Sequence, residues 1–134
     1  MLYLQKKLRR IRPSFSPAII WLIISTILFC LPGSALPKET WLDMIWFDKW
    51  VHIGLFAIMM ILWCWAYSNK YPLKSKIRYL FILLAVIWLI YGFVIELIQG
   101  RFIPNRDFDL GDIAADAVGC FLGLLFSNQR FIKK

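Results

Sequence analysis

DKWVHIGLFAIMMILWCWAYS, residues 48–68, places three charged or titratable polar side chains in its first five positions and no charged residue in the sixteen that follow. At about 1.5 Å per residue a helix of this length spans roughly 31 Å, the thickness of a bilayer's hydrocarbon core. The run is apolar on every side, so as a helix it has no face to turn to water and belongs in lipid. Three further apolar runs lie on either side of it, at about 17–31, 78–99 and 110–126. Pro17 suits a first helical turn, where its missing N–H is harmless, and Pro32-Gly33 stops the first run. The expected fold is all-α: one polytopic domain over residues 1–134, with four transmembrane helices in a bundle.

Composition supports the same class. With 60% hydrophobic residues in 134, and a mean hydropathy of +0.65, the chain has too little polar surface to enclose a water-soluble core of this size. A net charge of +8 raises nucleic acid as a partner, but the bases sit in short blocks between apolar runs, as in cytoplasmic loops that meet anionic headgroups. Nucleic acid is therefore not expected.

The blocks also orient the chain. Lys6, Lys7, Arg9, Arg10 and Arg12 precede the first span, Lys70, Lys74, Lys76 and Arg78 lie between the second and third, and Arg130, Lys133 and Lys134 follow the fourth. By the positive-inside rule these segments, and both termini, face the cytoplasm across the inner membrane. Residues 32–47 and 100–109 then face outward. Gly33-Ser34-Ala35 after a basic, apolar start has the form of a signal cleavage site, but an uncleaved first helix keeps the alternation of charge with an even number of spans. The piece Trp41–Trp46 suits an aromatic anchor along the outer interface or a roof over a polar site. Cys30, Cys64 and Cys120 are scattered in depth and read as small buried apolar residues rather than a framework or a thiolate zinc site.

Helical spacing gathers the polar residues near the outer boundary. Asp48 and His52, four apart, share a face of span two, and Gly92, Glu96 and Gln99 share a face of span three. On span four Asp112, Asp116, Gly119 and Gly123 follow at intervals of four, an acidic stripe running into small residues that admit a neighbouring backbone. Charges in hydrocarbon cost about 2.5–3.5 kcal/mol even on lenient scales, so such groups usually have a task. Structural readings stand beside the functional ones. Asp48 suits the N-cap of span two, Asp109 with Asp112 suits a capping box at span four, and Lys49 suits an interfacial anchor. The candidates for chemistry are His52, Glu96, Asp112 and Asp116, and those for substrate binding are Asp48, Lys49, Gln99, Arg101, Arg106 and Asp109.

Asp48-Lys49-x-x-His52, Tyr91-Gly92-x-x-x-Glu96-x-x-Gln99 and Arg106-x-Phe108-Asp109-x-x-Asp112-x-x-x-Asp116-x-x-Gly119, in this order, resemble the VanZ-like family of small bacterial membrane proteins. The turn with Pro32-Gly33 and Pro37 is also similar, so the resemblance covers roughly Leu31 to Gly123. One departure adds a potential charge: Asp116 stands where the family pattern commonly has Asn. The resemblance implies cell-envelope biology and an association with resistance to the glycopeptide teicoplanin; it implies no particular reaction.

Three uses fit these residues. The site could bind or present an anionic envelope component, with Arg106 and Arg101 pairing to phosphate or carboxylate. It could be a membrane-embedded hydrolase or transferase on a lipid-linked substrate, with His52 or Glu96 as general base and Arg106 stabilising developing charge. A proton- or cation-coupled carrier ranks last, because the inner halves of the spans hold no acids. A divalent cation could be held by His52, Glu96, Asp112 and Asp116. The expected partners are membrane lipids or a lipid-linked envelope precursor, with a homo-oligomer as a further option. Glu96 and Arg106 are expected to be coupled.

Overall fold

A computed structural model describes residues 13–37, 40–71 and 73–133; the basic block from Lys6 to Arg12, and Lys134, lie outside the described residues. All the regular secondary structure among the described residues is helical, with no strand. Helix α1 covers Ser16–Phe29, a short α2 covers Thr40–Met44, and α3 covers Phe47–Tyr67. Helix α4 covers Lys74–Phe102, and α5 covers Leu110–Ser127 and runs on through a wider turn at Asn128–Ile132. Pro17 sits in the first turn of α1, as its geometry favours.

Three of these helices, at 21, 29 and 23 residues, are long and apolar enough to cross a membrane: Phe47–Tyr67, Lys74–Phe102 and Leu110–Ile132. Helix α1 is apolar but only 14 residues long, about 21 Å, short of a hydrocarbon core of about 30 Å. Helix α4 exceeds the expected 78–99 at both ends, because the polar residues that seemed to bound it, Lys74, Lys76 and Arg101, are compatible with helix.

The helices alternate in direction. Phe15 at the start of α1 rests edge-on against Tyr67 at the end of α3, 4.9 Å between ring centres, while Phe29 lies 4.8 Å from His52 near the start of α3. Trp63 of α3 meets Trp88 of α4, and Gly92 of α4 faces Asp116 of α5. Helices α3 and α5 share the broadest interface. It is close because Gly119 and Gly123 carry no Cβ: one added at Gly119 would sit 2.5 Å from the Ile53 carbonyl oxygen, and one at Gly123 2.7 Å from that of Ala57. The small-residue stripe thus works as its spacing suggests. A core of Phe56, Met59, Met60, Phe81 and Trp88 fills the middle.

The outside is apolar. Ile19, Ile23 and Ile27 of α1, Ile82, Val86, Ile90 and Phe93 of α4, and Phe121, Leu122 and Phe126 of α5 are all exposed. Ser25, His52, Glu96, Gln99, Asp112 and Asp116 are buried. Apolar surface this continuous suits lipid rather than water, and the arrangement is that of a membrane protein.

Two structural expectations need correcting. Cys64 and Cys120 are buried, but Cys30 is exposed, since it closes α1 at a position that no other helix covers. Asp48 does not cap α3: the helix begins one residue earlier, at Phe47, and the cap position belongs to Trp46, whose left-handed backbone (φ 53°) turns the chain into the helix.

Candidate functional site

All the Asp and Glu among the described residues lie toward one end of the bundle, where α1 ends, α3 and α5 begin and α4 ends. Asp109 caps α5 by accepting the Gly111 N–H at 2.7 Å, as its position suggests. The rest of the expected capping box is replaced. The Asp109 N–H donates to Glu96 Oε2 on α4 (3.1 Å), and Asp112 turns instead to Lys49 and His52.

His52 is the centre. Its Nδ1 lies 2.8 Å from Asp116 Oδ1, and its Nε2 lies 3.7 Å from Asp112 Oδ2. With Asp116 ionised and the imidazole neutral, Nδ1 carries the proton and Nε2 presents a lone pair. Gly92 makes room for this pair, since a Cβ there would lie 2.5 Å from Asp116 Oδ2. His52 is 3% exposed, Glu96 0%, Asp112 6% and Asp116 1%. One ligand atom from each of His52, Glu96 and Asp112 lies within 4.8 Å of the others. Glu96 Oε1 is buried and has no hydrogen-bond partner.

Lys49 is not a free anchor. Its Nζ bonds Asp109 Oδ2 at 2.6 Å, Asp112 Oδ1 at 2.8 Å and Asp48 Oδ2 at 3.2 Å. A second acidic trio, Asp48, Asp109 and Asp112, therefore already encloses a cation, the lysine ammonium. The hydrogen bond from Lys49, followed by that from the Gly111 N–H, holds the Asp109 carboxyl below the usual carboxylate range.

Seven of the ten residues singled out from the sequence meet here: Asp48, Lys49, His52, Glu96, Asp109, Asp112 and Asp116. Gln99 is buried beside them, but its amide donates to the Phe29 carbonyl at 2.9 Å, tying down the end of α1. Arg101 is exposed on the last turn of α4 and forms no ion pair with a described residue. Arg106 donates through Nε to the Leu31 carbonyl (3.5 Å) and pairs with no described acid. Glu96 and Arg106 form no direct ion pair: Glu96 Oε2 accepts the Asp109 N–H, and Arg106 turns to the Leu31 carbonyl.

Two features went unread in the sequence. Tyr91 and Thr26 share a hydroxyl hydrogen bond of 2.7 Å between α4 and α1, and Gly33 N–H bonds the Pro104 carbonyl at 3.0 Å, joining the two connections at this end. Both join positions more than sixty residues apart, beyond any local spacing. A cavity of about 430 Å³ lies elsewhere, lined by Tyr71, Ser75, Lys76 and Tyr79 near the start of α4; it has no acid or histidine and plays no part in the site.

Comparison with protein-family models, with curated proteins and with solved structures finds no match to this chain.

Proposed function

We propose that this chain is a VanZ-like membrane protein of four spans, both termini cytoplasmic in the bacterial inner membrane, whose extracytoplasmic polar site binds or modifies an anionic component of the cell envelope. The observation that carries the reading is the buried His52–Asp116 contact, 2.8 Å long, with Asp112 and Glu96 beside it at one end of an apolar bundle. Buried ionisable groups are costly in a membrane protein, and three of them gathered within 4.8 Å, with Asp116 behind His52, are the usual mark of a functional site.

Charge supports the orientation. Lys70, Lys74, Lys76, Arg78, Arg130 and Lys133 stand at the end opposite the acids, which the positive-inside rule assigns to the cytoplasm. Helix α1 supports the fourth span despite its length. It runs beside α3 from Tyr67 to His52, nearly the whole of that helix, and a thinned bilayer accommodates a short span at modest cost.

A hydrolase or transferase on a lipid-linked substrate is the second reading, favoured by the geometry of His52. Asp116 fixes the ring and turns Nε2 toward Asp112, so a water or substrate hydroxyl placed there would meet His52 or Glu96 as base. Arg106, on the loop between α4 and α5, is the group proposed to stabilise negative charge.

Mass spectrometry of native envelope lipids incubated with protein in nanodiscs tests both readings, wild type against Glu96→Gln and Arg106→Gln. A product formed only by wild type supports the enzyme; an unchanged lipid retained by wild type and lost by Glu96→Gln supports binding. Wild-type behaviour of both variants overturns the site.

A further inference from the structure

We infer that His52 Nε2, Asp112 and Glu96 form a binding site for one divalent cation of the zinc or manganese class. Each of the three side chains is held from behind. His52 is fixed through Nδ1 by Asp116, Asp112 through Oδ1 by Lys49, and Glu96 through Oε2 by the Asp109 N–H. In all three, one donor atom is tied by an outer partner and the other is left over: Nε2, Oδ2 and Oε1. That is how metal ligands are usually oriented, with a carboxylate, amide or cation behind each.

The leftover atoms of His52 and Asp112 are nearly spaced for an ion. Ligands about 2.1 Å from zinc or manganese stand roughly 3–3.5 Å apart. Here Nε2 and Asp112 Oδ2 are 3.7 Å apart, and Glu96 has a carboxylate oxygen within 4.8 Å of a ligand atom on each of the other two, so an inward movement of these side chains would complete the set. The independent sign is Glu96 Oε1, which has no partner although the residue is 0% exposed. A buried carboxylate oxygen without a donor is costly, and a cation would satisfy it. The neighbouring acidic trio differs in this respect, because Lys49 already occupies it.

The ligand set selects the metal. One imidazole nitrogen with two carboxylates is borderline in softness, which favours zinc or manganese over magnesium. Three protein ligands would leave a position open for water or an anionic group, and a bound cation acidifies such a water. That last step rests on the enzyme reading; the binding site does not.

Metal binding is measured on tag-free, chelator-stripped protein in nanodiscs made without envelope lipids, by dialysis against zinc, manganese or magnesium. The expected result is one zinc or manganese per chain, bound at least tenfold more weakly by Glu96→Gln and Asp112→Asn. A second readout needs no variant. The chain has a single histidine, so pulsed paramagnetic resonance of bound manganese should show coupling to an imidazole nitrogen, which only His52 can supply. No nitrogen coupling, binding that both variants leave unchanged, or tighter binding of magnesium overturns the site. Metal bound as expected with no lipid turned over or retained would refute the proposed function and leave this site standing.

Discussion

Gly119→Ala should separate α3 from α5 and break the site from outside it. The added Cβ would stand 2.5 Å from the Ile53 carbonyl oxygen, 2.9 Å from Phe56 Cβ and 3.2 Å from Ala57 N. Two of these atoms are backbone, so no side chain can swing aside. Restoring an ordinary contact of about 3.4 Å requires the helices to part by roughly 0.9 Å, and overpacking of this kind typically costs about 1–3 kcal/mol. Ile53 adjoins His52, and Asp116 lies one turn before Gly119. A 0.9 Å displacement would therefore stretch the 2.8 Å His52–Asp116 contact past hydrogen-bonding range. Gly54→Ala is the control: the same change on α3, where an added Cβ meets nothing within 4 Å and helix propensity favours alanine by about 0.5–1 kcal/mol. The two variants should differ by about 2 kcal/mol or more, roughly thirtyfold in the unfolding equilibrium. Reversible denaturation in mixed micelles, followed by circular dichroism, measures the gap. Equal stability of the two variants, or Gly54→Ala as the weaker, would refute the reasoning.

Two further outcomes follow from the ion network. Lys49→Gln removes the ammonium shared by three carboxylates and leaves Asp112, 9% exposed at its side chain, without its cation; because Lys49 is itself 26% exposed, a loss of about 1–2 kcal/mol is expected in the same denaturation assay, below the 3–5 of a fully buried pair. Since the Asp109 carboxyl titrates below the usual carboxylate range when folded, its stabilising contribution is complete above about pH 4 and is lost as pH falls through the depressed folded value. Thermal melts should therefore drop on acidification below about pH 4, and Asp109→Asn should melt with a shallower acid dependence.

The parts of the fold that sequence made legible are those set by local spacing. Asp112, Asp116, Gly119 and Gly123 recur every four residues, and the helix places all four on its buried or closely packed side. Asp109 reads as a cap because capping is a matter of neighbouring residues. Lys49 did not read as a network centre, since it snorkels in most helices, and the acids that hold it here, Asp109 and Asp112, are 60 and 63 residues away. The contact Glu96 makes was not legible for a related reason: its donor is a backbone N–H, and side-chain chemistry alone gives no sign of it. Cys30 read as buried from its apolar surroundings, but a chain facing lipid exposes apolar residues as readily as it hides them.

The gathering of acids at one end and of most bases at the other also makes the bundle an electric dipole along its own axis. Among the described residues six basic side chains stand at one pole, and at the other seven carboxylates outnumber Lys49, Arg101 and Arg106. In a membrane energised with its negative side toward the basic pole, field and dipole point the same way, at about 2.3 kcal/mol per full charge crossing for each 100 mV. An inverted molecule would oppose that field with all six of those bases at once. The energised membrane would thus help hold the protein the way round it was inserted, quite apart from anything the His52 cluster binds.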